Sequence, residues 1–110
     1  MQNEIVYRPN VPSPHHAEMF KDQAWDFHVD ANYWAIKEGS SLSSAVWTVL
    51  DGDVTVGADS ESSNISTALV TTVAEGSSLI EVKLTLADAQ IGIQFIRIIT
   101  PVVEKRGIKY

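Results

Sequence analysis

Hydrophobic and polar positions alternate with a period of two along most of this chain, which predicts strands and leaves little room for helix. The cleanest case is Ile80, Val82, Leu84 and Leu86 set against Glu81, Lys83 and Thr85, the pattern of a strand with one face in and one face out. Trp25, Phe27, Val29 and Ala31 alternate with Asp26, His28 and Asp30 in the same way. Ala45 to Leu50 reads as a strand with Trp47 on one face and Val46 on the other, and Val54 to Val56 as a short strand. Ile65 to Val73 is a long Thr-rich strand, and Gln90 to Thr100 closes the series. Pro101 ends it, because a proline inside a central strand loses a ladder bond.

Between these runs lie turn residues: Lys37 to Ser41, Asp51-Gly52-Asp53, the polar loop Gly57 to Asn64, Ala74 to Ser77, and Ala87-Asp88-Ala89. His15 to Gln23 is the one candidate helix, and it reads as a turn or a single helical turn. Tyr33 to Ile36 either continues the strand before it or packs over the end of the fold. Six or seven strands with turn signals between them predict an all-β, antiparallel β-sandwich, with a small barrel as the alternative. The expected core includes Trp47, Val82, Leu84, Ile93 and Phe95. The run Phe95, Ile96, Ile98, Ile99 is apolar at both parities, as in a strand covered on both sides or one whose outer face meets a neighbouring subunit.

The first sixteen residues break the pattern. Pro9, Pro12 and Pro14 each remove a backbone donor and push the preceding residue toward extended geometry. Residues 1–16 are therefore expected to form an extended Pro-containing N-terminal arm outside the sheets. The sandwich is placed at 17–103, and a basic C-terminal tail at 104–110. An arm bearing the apolar cluster Ile5, Val6 and Tyr7 suits a strap laid on an adjacent subunit, together with Pro9 and Pro12. Trp34, next to Tyr33 and just before a polar turn, is expected to show a face, and Arg106 and Tyr110 make the tail a second contact. These eight residues are the expected interface.

Composition narrows the chemistry. At 110 residues and 45% hydrophobic content the chain is long enough for one domain with its own core. A net charge of −6 with only eight Lys and Arg disfavours nucleic acid and anionic membranes as partners. Gln2, Asn3 and Glu4 follow Met1 where a secretion signal would be apolar, and no apolar run approaches the roughly 20 residues of a membrane helix. A protein made in the cytoplasm is expected. The absence of cysteine removes disulfides and thiolate chemistry.

No nucleophile, base and oxyanion constellation is visible, nor a phosphate-binding glycine loop, so neither catalytic residues nor a cofactor is expected. His15 and His16 are adjacent and point apart on extended backbone, which suits metal ligation poorly. Asp51, Asp53, Asp59 and Glu61 lack calcium-loop spacing, and turn chemistry accounts for the first two. No metal site is expected. Trp25, Trp34 and Trp47 offer a sugar-stacking platform as the main competing idea, although Phe95 is the only aromatic on the later strands.

Asp26 to Val49 carries the most specific signal: an Asp-aromatic strand with Asp26 and Asp30, then Trp34, an acidic-Gly turn at Gly39, Leu42, and a strand marked Trp47-Thr48-Val49. With the Thr-rich strand from Ile65 and the strand from Leu79, this order resembles the fiber-tail adaptor or minor tail proteins of tailed bacteriophages. Their pattern tends to carry a second Trp just after the strand acid, where this chain has Ala31. The resemblance implies an Ig-like β-sandwich and a non-enzymatic structural subunit of the virion tail or neck. Its implied partners are other virion proteins (tail adaptor, tail tube or fiber) and copies of itself. An Ig-like carbohydrate-binding or adhesin module, or a capsid decoration protein, would satisfy the same strands.

Overall fold

The computed structural model describes residues 3–10 and 14–102. In chain order the described elements are β1 (Glu4–Val6), β2 (His15–Glu18), β3 (Ala24–Asp30), α1 (Asn32–Lys37), β4 (Leu42–Asp51), β5 (Val54–Val56), β6 (Ser60–Ser62), β7 (Ile65–Thr72), β8 (Gly76–Leu86) and β9 (Ile91–Thr100). They form two sheets. Sheet 1 runs β1-β3-β7-β5, with β6 also on β7, and sheet 2 runs β2-β9-β8-β4. The expected all-β sandwich is what the chain forms.

Alternation sets the core. Phe27 and Val29 of β3 and Val70 of β7 meet Ile80, Val82, Leu84 and Leu86 of β8 and Ile96 and Ile98 of β9, all essentially inaccessible to solvent. Each such side chain contributes roughly 1.5–3 kcal/mol on burial. Trp47 bridges the two sheets: it packs against this core from β4, and its indole N–H donates to Ser66 Oγ on β7 at 2.9 Å.

The N-terminal segment is not an arm outside the sheets. β1 pairs in parallel with β3, placing Ile5 opposite Val29, and β2 pairs in parallel with β9, placing Ala17 opposite Ile98. Ile5, Tyr7, Ala17 and Met19 all join the core. Pro9 and Pro14 lie between the two strands rather than within them, so they shape the connection and interrupt no ladder. The boundary expected after residue 16 falls inside β2. The sandwich is accordingly antiparallel everywhere except at these two edges.

Tyr7 is the anchor of this arrangement. Its N–H donates to Asp30 O at 2.9 Å, and its ring meets Trp34 edge-on with centroids 5.0 Å apart. A Cβ at Gly92 of β9 would overlap the Tyr7 ring, so glycine there is a seat for the aromatic. Burial pushes the Tyr7 phenol above its ordinary pKa, while a backbone hydrogen bond at Ile93 acts in the opposite sense.

Further local readings need revision. His15 to Gln23 is β2 followed by a turn, not a helical turn; Thr72 Oγ1 donates to Phe20 O at 2.6 Å and accepts the Gln23 N–H at 3.1 Å. Tyr33 to Ile36 lies in α1, which packs over the end of the sandwich through Trp34 and Ala35. Asp30 starts the helix by accepting the Asn32 N–H at 2.8 Å. Gly39 ends it at φ +65°, a left-handed conformation suited to glycine. Within the polar loop, Ser63 and Asn64 both take positive φ and join β6 to β7 as a two-residue hairpin turn.

Ile93 and Phe95 do not reach the core. The buried positions of β9 are Gly92, Gln94, Ile96, Ile98 and Thr100, while Ile93 is 43% exposed and Phe95 half-buried. Both parities of this strand are apolar, so alternation alone leaves its orientation open. Tyr7 over Gly92, with Ile96 and Ile98 in the core, fixes it.

Candidate interaction surfaces

The residues singled out between Asp26 and Val49 build one corner of the sandwich, where the chain leaves sheet 1 and enters sheet 2. Asp30 accepts the Asn32 N–H at the start of α1, Trp34 seats the helix on Tyr7, Gly39 releases the chain, and Trp47 ties β4 to β7. Asn32 and Asn64 brace this corner: Asn64 Nδ2 donates to Asn32 Oδ1 at 3.1 Å, and Asn64 Oδ1 accepts the Leu42 N–H at 2.8 Å. Phe27, Val29, Trp34 and Ala45 of this stretch are buried scaffold, while Asp26, Val46 and Thr48 face outward.

Of the eight residues expected at an interface, Ile5, Tyr7 and Trp34 lie in the protein's own core. Trp34 therefore shows no stacking face. Val6 and Pro9 are exposed, and Arg8 lies over the exposed Tyr33 ring at 5.0 Å. Pro12, Arg106 and Tyr110, with the basic tail, lie outside the described residues. Two shallow clefts flank β1. One of about 250 Å³ includes Arg8, Pro14, His15 and Gln94, and one of about 320 Å³ includes His28, Asp30 and Ile65.

The surface that sequence reasoning only half located is the outer face of sheet 2. Along β9 it presents Ile91, Ile93, Phe95 and Ile99, and beside them Leu79 of β8 and Val46 and Leu50 of β4. Ile91, Ile93, Ile99, Val46 and Leu50 each keep more than two fifths of their area in solvent. Exposed apolar side chains gathered on one face in this way mark interfaces. The charged members of the face are Asp51 on β4, Glu81 and Lys83 on β8, Arg97 on β9 and Glu18 on β2. The outer face of sheet 1 is more polar: Glu4, Asp26, His28, Asp30, Thr55, Thr67 and Thr71 surround Val6, Ile65 and Leu69, and His28 Nδ1 lies 2.9 Å from Thr67 Oγ1.

Among the described residues, no group of three or more His, Asp or Glu side chains is placed to hold a metal ion. The most perturbed carboxyl is Glu61, raised from 4.5 to about 6, first by a hydrogen bond with Asp59, then by desolvation and by the Asp59 charge. No helix among the described residues is long and apolar enough to cross a membrane.

No family model matches the chain, and no curated protein matches it.

Proposed function

We propose that this chain is a non-enzymatic structural subunit of a tailed-bacteriophage particle, positioned in the tail or neck as a fiber-tail adaptor that joins neighbouring virion proteins. The structural observation supporting this reading is the apolar outer face of sheet 2, on a domain whose polar groups serve mainly caps, turns and ladders. Such a surface supplies binding energy by burial rather than chemistry. The resemblance of Asp26 to Val49 to the adaptor and minor tail proteins supplies the virion context, and an Ig-like description of the sandwich belongs to the same reading. The sugar-binding alternative loses its strongest residue, since Trp34 is 5% exposed.

The partners are the tail adaptor, tail tube or fiber and copies of the chain itself. In the arrangement now proposed, contacts run through sheet 2 instead of a loose arm. The test is composition and assembly. Quantitative mass spectrometry of purified particles should find several copies of the chain per particle. A nonsense mutation in its gene should give particles with detached tails or missing fibers in electron micrographs. Particles that lack the chain, or a nonsense mutant with normal particles, would overturn the assignment. Binding to a glycan array by the isolated chain would favour the adhesin reading in its place.

A further inference from the structure

Strand register on sheet 2 arranges its outer face in rows that run across the strands. Thr48 of β4 stands opposite Glu81 of β8, which stands opposite Phe95 of β9. The next outward-facing row is Val46, Lys83 and Ile93. The two rows lie about 7 Å apart, two residues along each strand. They match in kind at each position: a β-branched residue, a charge, and a large apolar side chain. Only the sign of the central charge differs.

We propose that this face pairs with the same face of a second copy, about a two-fold axis running between the two rows. That operation lays each row over the other row of the partner. Glu81 then meets Lys83 of the partner subunit, and Lys83 meets Glu81 of the partner subunit. Phe95 and Ile93 exchange places likewise, and the Thr48 methyl faces Val46. A two-fold interface must be self-complementary in this sense. Two sheets stacked face to face sit about 10 Å apart, which side chains from both faces fill.

Charge argues for a copy over a different partner. The face carries three acids, Glu18, Asp51 and Glu81, and two bases, Lys83 and Arg97, close to balance although the whole chain carries −6. The outer face of sheet 1 presents Glu4, Asp26 and Asp30 and no Lys or Arg, so two copies meeting there would repel. Size sets the strength. Three strands of ten or eleven residues and one of four, at about 4.8 Å spacing and about 3.3 Å rise, give a face of roughly 550 Å². Two such faces bury at most about 1,100 Å², in the range of weak or transient interfaces, so the pairing is reversible and concentration-dependent. It does not depend on the virion reading, because an adhesin with this face would pair the same way.

The experiment is sedimentation velocity on the purified full chain across the micromolar range, with charge-reversed variants. Glu81 and Lys83 are on the outer face, and melting curves verify that each variant folds. The unmodified chain should dimerise. Glu81→Lys alone, or Lys83→Glu alone, places like charges opposite each other twice and should weaken association by roughly 100-fold or more. An equimolar mixture of the two single variants should form a heterodimer, and the chain carrying both substitutions should pair with itself again. An unmodified chain that stays monomeric throughout overturns the proposal. So do single variants that dimerise like the unmodified chain, and a mixture that fails to associate.

Discussion

Sheets 1 and 2 resemble each other on their inner faces and differ on their outer ones. Inside, Phe27, Val29 and Val70 of one meet Ile80, Val82 and Leu84 of the other with no solvent access. Outside, sheet 1 presents mainly Asp, His and Thr with Val6 and Leu69 among them, while sheet 2 presents Ile, Phe, Leu and Val around charges of both signs. Folding requires only the shared feature. The difference between the outer faces contributes little to holding one molecule together, and for that reason it carries functional information.

The largest effects should be symmetric between the sheets. Phe27→Ala should cost about 3–5 kcal/mol and Leu84→Ala about 2–5 kcal/mol, because both leave cavities in a sealed core. Chemical denaturation checks this. A loss below 1 kcal/mol for either would mean that its sheet is not packed as described. Next comes the seat of Tyr7. Gly92→Ala should cost about 1–3 kcal/mol through overlap with the ring, and much less when Tyr7 has already been replaced by Ala. Equal losses in both backgrounds would remove Tyr7 as the cause.

On the outside the sheets should part company. Ile93→Thr should change unfolding free energy by only about 0.5 kcal/mol in dilute solution, yet reduce binding of a hydrophobic dye. Thr67→Ile on sheet 1 should increase dye binding. Unchanged dye signals would mean that exposed apolar area does not distinguish the two faces. The smallest effect is a titration at the sheet 1 edge. Glu61 has a folded pKa above its ordinary value, so its protonated form is the favoured one in the fold. Its stabilising contribution is complete below pH 4.5 and fades as pH rises through about 6. The group is largely exposed, so the stability change is slight. Its carboxyl resonance should titrate near 6 and move back toward 4.5 in Asp59→Asn. A midpoint unaffected by that change would separate the two carboxyls.

Strand content was legible wherever one parity was apolar and the other polar. β8 follows its pattern residue by residue, and the turn at Gly52 and the end before Pro101 fall as their chemistry requires. Legibility failed where local pattern was silent about distant partners. Prolines near β1 and β2 signalled an arm, but Ile5 and Tyr7 gain their burial from β3, α1 and Gly92, far along the sequence. β9 has two apolar parities, and only the aromatic seated on Gly92 shows which one turns inward. The outer face was half visible for the same reason: the apolar run was plain, but its rows exist only through the register of three strands.

The seat of Tyr7 on Gly92 also sets an order of events during synthesis. A ribosome releases β1 and Tyr7 well before β9, yet β9 completes their place in the fold. β2 likewise waits for β9, since pairing His15 with Ile96 closes a loop of about eighty residues. Tyr7 and Ala17 therefore lack their partners until β9 has been made, and the sandwich closes late rather than strand by strand. A nascent chain stalled before Gly92 would hold a complete β8 and a homeless tyrosine, a natural substrate for a chaperone.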